Sequence, residues 1–159
     1  MFSVSAAAPN SHWPYPRFIA HRGGGTLAPE NTLAGFREAR HFCFQGIETD
    51  VMLTADGAAV LSHDPVLGRV VKSASPVASL SLKEIKTLDA GSLTAQKWAG
   101  ERIPTLEEAI ETCEANGLFM NIEIKPASDS AAQATAQETV RIVRKLFEGK
   151  SLPLLSSFS

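Results

Sequence analysis

The run "GIETDVMLTADGAAVLSHD", Gly46 to Asp64, most limits what this chain can fold into. Its first half alternates as a strand does. Ile47, Thr49 and Val51 fall on one face, and Glu48 and Asp50 on the other. "TADG" is a turn signal, and "AAVLSHD" reads as a second strand. So short a connection cannot hold a helical crossover, so the two strands must pair antiparallel. Folding about the turn sets His63 roughly opposite Glu48, which brings a histidine toward two carboxylates.

Around this hairpin, strand patterns alternate with helical ones. "RFIAH" reads as a short buried strand running into Gly23-Gly24-Gly25. "NTLAGFREARHFC" reads as a helix capped by Asn31, with Leu33, Phe36, Ala39 and Cys43 on one stripe. A capping box at Thr105-x-x-Glu108 opens the helix "TLEEAIETCEANG", whose Leu106, Ala109, Ile110 and Cys113 point inward. "LFMNIEIKP" follows as a strand with Met120, Ile122 and Ile124 on one face and Asn121, Glu123 and Lys125 on the other. The helix "SAAQATAQETVRIVRKLFEGK" precedes a last strand beginning in "LPLLSSFS". Residues 65–102 break the rhythm and read as an insertion over one end of the fold. It carries one short helix, opened by Ser81-x-x-Glu84 and closed by Gly91. Such alternation with one hairpin predicts an α/β sheet of mostly parallel strands.

Residues 1–16 read as a leader without a basic start or long apolar run, so neither a signal peptide nor a membrane anchor is expected. Residues 17–159 read as one domain. With 44% hydrophobic and 20% charged residues and a net charge of -2, the composition is that of a soluble globular protein. It offers no clustered Lys/Arg for nucleic acid. Two cysteines, Cys43 and Cys113, are expected to be small buried hydrophobes in a reducing compartment.

The faces that do not meet helices carry the chemistry. Glu48, Asp50 and Glu123 lie on inward faces near strand ends, and Glu30 in the first loop is a possible fourth acid. Several carboxylates buried together need a cation or a proton. Their hard oxygens favour Mg²⁺ or Ca²⁺, without deciding between the two. The competing reading is ion pairing with Arg22 and Lys125. His21 and His63, the two histidines at strand ends, are candidates for general acid and base. Arg22 can fork onto a phosphate, Lys125 can add a point charge, and the glycine run can bring backbone N–H groups to the same anion. Together these groups point to metal-assisted attack on a phosphate ester.

The motifs "IAHRGGG", "PENT", "IETDV…TADG…VLSHD" and "NIEIKP" stand in the order and approximate spacing of the glycerophosphodiester phosphodiesterase family, which Arg17 to Ser159 resembles. The resemblance implies a TIM-type (β/α) barrel, of which this chain would hold the N-terminal part, about five strands, including a hairpin at strands 2 and 3 and a small helical insertion. It implies hydrolysis of glycerophosphodiesters to sn-glycerol 3-phosphate and an alcohol, with a divalent cation, Mg²⁺ or Ca²⁺. By matching motif, His21 and His63 would be the acid/base pair, and Glu48, Asp50 and Glu123 the metal ligands. Arg22 and Lys125 would bind phosphate, with Glu30 nearby. "WPYPRFIAHRG" looks like the bacterial cytoplasmic branch. "GRVVKS" departs from the family pattern, keeping Arg69 and losing its threonines. The family's barrel needs about three more strands than this chain supplies. A half-barrel that is non-catalytic, oligomeric or completed by a C-terminal half is therefore one alternative. A phospholipase D/C-type activity on lysophospholipids is another.

Overall fold

In a computed structural model describing residues 13–159, the hairpin forms as its sequence requires. Strand β1 (Gly46–Leu53) pairs antiparallel with β2 (Ala59–Leu61), with Val51 opposite Leu61 and Leu53 opposite Ala59. Gly57, at φ 78°, takes the left-handed conformation in the turn. Strand β3 (Phe119–Ile124) lies parallel to β1 on its other side, and β4 (Leu154–Ser156) lies parallel to β3. The sheet order is β2-β1-β3-β4, a mixed α/β arrangement. The outer edge of β2 is covered by the chain returning from the insertion, where Leu61 N–H donates to the Pro104 carbonyl at 3.0 Å.

"RFIAH" does not become a full strand. Ala20 alone bridges to β1, its N–H donating to Gly46 and its carbonyl accepting from Glu48, both at 2.9 Å. Phe18 is 78% exposed. This segment is hydrogen-bonded along one edge only, which is too little ladder to hold an extended run. The leader expected over residues 1–16 lies largely outside the described residues. Its last part packs: Tyr15 stacks at 4.6 Å on Phe119, at the start of β3.

Helix α1 (Leu33–His41) is capped by Thr32, whose hydroxyl accepts from Gly35 N–H; Asn31 is not its cap. The helix ends before Cys43, which is exposed at φ 63°, so the apolar stripe stops at Ala39. Helix α3 (Leu106–Ala115) has its Thr105/Glu108 capping box and buries Leu106, Ala109, Ile110 and Cys113. Helix α4 (Ala132–Leu146) buries Ile142 and Val143. These three helices share one core with Ile47, Val51, Met120 and Ile122, the apolar face of the sheet. No helix among the described residues is long and apolar enough to cross a membrane.

The insertion builds a second core. Met52 and Val60, on the same sheet face as the acids, pack with Leu67, Val71, Val77, Ile85, Ala90 and Ile103. Its helix α2 spans only Leu82–Ile85, opened by the Ser81/Glu84 capping box. Gly91 does not close it. A Cβ there would sit 1.9 Å from the Trp98 carbonyl oxygen, so Gly91 is required by close backbone packing in the following loop. The insertion thus seals the sheet face just beyond the carboxylates and leaves the acids at the margin of a dry cluster.

Candidate active site

Parallel pairing, not alternation alone, brings the acids together. Asp50 stands beside Glu123 in the β1–β3 register, and Glu48 precedes Asp50 by two residues on the same face. One carboxylate oxygen from each of Glu48, Asp50 and Glu123 lies within 4.8 Å of the others. Asp50 is 1% exposed.

The supports of this trio are unequal. Asn31, buried at φ 52°, donates from Nδ2 to Asp50 Oδ2 at 2.9 Å, and its Oδ1 accepts from Thr49 Oγ1 at 2.7 Å. Lys125 Nζ reaches Asp50 Oδ1 at 3.5 Å, and Arg22 Nε lies 3.7 Å from Asp50 Oδ2. Glu48 has less. The Arg22 backbone N–H donates to its Oε2 at 3.0 Å, and His21 Nε2 lies 3.8 Å from the same oxygen. Its Oε1 is buried with no partner. Burial, and then the neighbouring Asp50 charge, push the Glu48 carboxyl up to about 7.

The set fits a hard divalent cation. It offers only carboxylate oxygens, they converge, and Glu48 Oε1 is a buried acceptor that nothing among the described residues satisfies. The competing reading of simple ion pairing accounts for Asp50 and leaves Glu48 unexplained.

His21, His63, Glu123 and Lys125 line one cleft of about 490 Å³. His63 arrives there by a different route from the one expected. The β1–β2 ladder continues through Ser62 N–H to the Asp50 carbonyl, so the register would put Asp64 across from Glu48. The strand ends at Leu61, and the bend that follows frees His63 from the ladder. Its Nδ1 is 2.6 Å from Asp64 Oδ1.

Glu30 stands apart from the converging trio. Arg69 forks onto it, NH1 to Oε2 at 2.6 Å and NH2 to Oε1 at 2.7 Å, and Arg22 NH1 adds 3.3 Å contacts to both oxygens. Burial opposes ionisation, but Arg69 and Arg22 outweigh it and hold the carboxyl below its ordinary value. Gly23 is held by packing. A Cβ on Gly23, at φ 83°, would meet the Phe36 ring at 2.6 Å, and Gly23 N–H is used in a turn to the Ala20 carbonyl. Packing, not an anion, requires that glycine.

Three supporting residues were not identified as such from the sequence: Asn31, Asp64 and Arg69. Asn31 sits in a motif, and its type is the one that tolerates left-handed backbone. That was its one available signal. Asp64 closes the "VLSHD" motif and Arg69 is the arginine kept in "GRVVKS", but neither residue's partner could be read without the fold.

A carboxylate cluster and two histidines at one cleft of an α/β sheet can hold a divalent cation and exchange protons beside it. The family model described as "Glycerophosphoryl diester phosphodiesterase family" matches residues 21–157, and the chain belongs to that family. It is 47% identical over 107 residues to a glycerophosphodiester phosphodiesterase of Caldanaerobacter subterraneus, covering 67% of this chain and 44% of that protein. It is 36% identical to human glycerophosphodiester phosphodiesterase 1, covering 73% and 36%. Among solved structures it is similar to an Oleispira antarctica phosphodiesterase in complex with the product sn-glycerol-3-phosphate. There the TM-score is 0.86 and the identity 39%, over 91% of this chain and 58% of that one. The chain spans less than half the length of these two curated relatives.

Proposed function

We propose that this chain carries the catalytic wall of an enzyme hydrolysing glycerophosphodiesters to sn-glycerol 3-phosphate and an alcohol. The observation that carries this reading is the convergence of Glu48, Asp50 and Glu123 within 4.8 Å beside a cleft holding both histidines. The family membership and the product bound in the Oleispira relative support it.

Glu48, Asp50 and Glu123 would hold Mg²⁺ or Ca²⁺, which would polarise the phosphoryl group and offset negative charge developing on its oxygens. Arg22 and Lys125 grip phosphoryl oxygens and orient the diester. Of His21 and His63, one accepts a proton from the water that attacks phosphorus. The other gives a proton to the leaving alcohol oxygen as its bond to phosphorus breaks. The insertion core limits water at the closed end of the site. The two unpaired cysteines support a cytoplasmic location. Incubation with glycerophosphocholine and Mg²⁺ or Ca²⁺, with sn-glycerol 3-phosphate as readout, tests the reading. Product formation abolished by a chelator is expected. Turnover indifferent to chelator, or no turnover with either cation, overturns it.

A second feature bears on the fold. Phe18, two residues before the Ala20 bridge, is 78% exposed, and Phe158, two residues after β4, is 97% exposed. Native folds seldom leave large apolar side chains beside a sheet uncovered. We infer that residues 17–159 form the N-terminal part of a TIM-type barrel.

A further inference from the structure

His63 is held through its own sequence neighbour. A carboxylate only accepts, so the 2.6 Å contact from His63 Nδ1 to Asp64 Oδ1 puts the ring proton on Nδ1. The neutral ring then keeps its lone pair on Nε2, the nitrogen left to exchange a proton with substrate. Asp64 is fixed in turn, because its Oδ2 accepts from Arg69 Nε at 2.7 Å. The same guanidinium uses NH1 and NH2 as a fork on Glu30, at 2.6 and 2.7 Å. Glu30 also receives Arg22 NH1, and the Arg22 backbone N–H donates to Glu48. An unbroken series of polar contacts therefore runs from His63 to the carboxylate cluster.

An isolated exposed ion pair would carry no such meaning. Here one planar guanidinium engages two carboxylates from separate loops through three nitrogens. Its rigid geometry is satisfied only when both loops are in place. Glu30 itself is anchored, since it precedes Asn31 and Thr32, both buried.

We propose that Asp64 is a positioning residue for His63: it sets the Nδ1–H tautomer and the aim of the ring, and Arg69, gripped by Glu30, holds Asp64 in place. This rests on the reading of His63 as an acid/base group in diester hydrolysis. Its structural half is testable without turnover.

The experiment is two-bond ¹H–¹⁵N correlation on the full chain with ¹⁵N-labelled histidine, at a pH where the ring is neutral. His63 should show the Nδ1–H pattern. D64N should shift it largely to Nε2–H, because an amide can donate to Nδ1, while the His21 signals stay unchanged. R69M should shift it in part, and R69K less. With glycerophosphocholine, D64N should lower kcat about 100-fold with KM within about threefold, and D64E should restore part of the loss. An Nε2–H pattern in the unmodified chain, or an unchanged pattern in D64N, overturns the proposal. An altered tautomer with unchanged kcat overturns its catalytic half. Absence of all diester hydrolysis would refute the assigned reaction, and the tautomer data would still decide for or against Asp64.

Discussion

Glu48 and Glu30 are both carboxylates largely withdrawn from water, on opposite sides of Arg22, and their environments push them in opposite directions. Glu30 meets two guanidiniums and is held ionised below its usual range. Glu48 meets a buried wall and two more acids, and its carboxyl is raised to about 7. Desolvation acts on both. The difference is the presence of a compensating cation. A chain that supplies two arginines to one acid and leaves its neighbour with an orphan oxygen has organised its charge for something outside itself.

The largest expected effect tests whether that outside charge is a metal ion. Asp50 is the most buried of the three acids and is shared by Asn31, Arg22 and Lys125. Asp50→Ala should lower chelator-sensitive hydrolysis by roughly 1000-fold, at the upper end for loss of one electrostatic stabiliser. Glu30→Gln, on the other side of Arg22, should lower it far less. Equal losses in the two variants would erase the contrast.

The next effect is a stability slope. In the metal-free protein Glu48 binds its proton more tightly folded than unfolded, since its value rises from 4.5 to about 7. Between those pH values the folded state holds a proton that the unfolded state has released, so stability falls as pH rises. The loss should total about 2–3 kcal/mol. Urea midpoints measured from pH 5 to 8 should show it, Glu48→Gln should flatten it, and millimolar Mg²⁺ or Ca²⁺ should reverse it. The same slope in Glu48→Gln as in the unmodified chain would show that another group is responsible.

Asn31 sharpens the comparison from the structural side. Truncation leaves Asp50 Oδ2 and the Thr49 hydroxyl without their buried partner, at about 1–3 kcal/mol. Asn31→Gly keeps the left-handed backbone and loses only the amide. It should therefore unfold at higher urea than Asn31→Ala, and cation affinity should fall about 10-fold or more in both. Identical urea midpoints for the two would mean that the backbone conformation contributes nothing.

These residues also mark how far the sequence could be read. The hairpin, the two capping boxes and the shared face of Glu48 and Asp50 were legible because each depends on local spacing. The proximity of Glu123 to Asp50 was legible only as a face, since the β1–β3 register depends on a partner strand some 70 residues away. Asn31 was read as a cap because capping needs the same residue type, and Thr32 beside it competes for that role. His63 was one position out because the hairpin register puts Asp64, not His63, across from Glu48, and nothing local announces that β2 stops at Leu61. Cys43 followed the helical period by one turn too many, into a left-handed residue that periodicity cannot foresee.

The smallest effect lies in the saturated network. Arg69 is about half exposed, so its bonds to Glu30 and Asp64 are screened, and Arg69→Met should cost only about 0.5–1 kcal/mol in stability. The sign is opposite to that of Glu48. Glu30 is held ionised, so its contribution is present above pH 4.5 and disappears as pH falls through its lowered value. Urea unfolding at pH 7 and pH 3 should therefore separate Arg69→Met from the unmodified chain at the first pH and merge them at the second. Added salt at pH 7 should shrink the gap, because half-exposed charges are screened within a few ångströms at molar salt. A gap that survives both acid and salt would mean that Arg69 acts through its aliphatic stem. The contrast between a satisfied and an unsatisfied carboxylate would then rest on Arg22 alone.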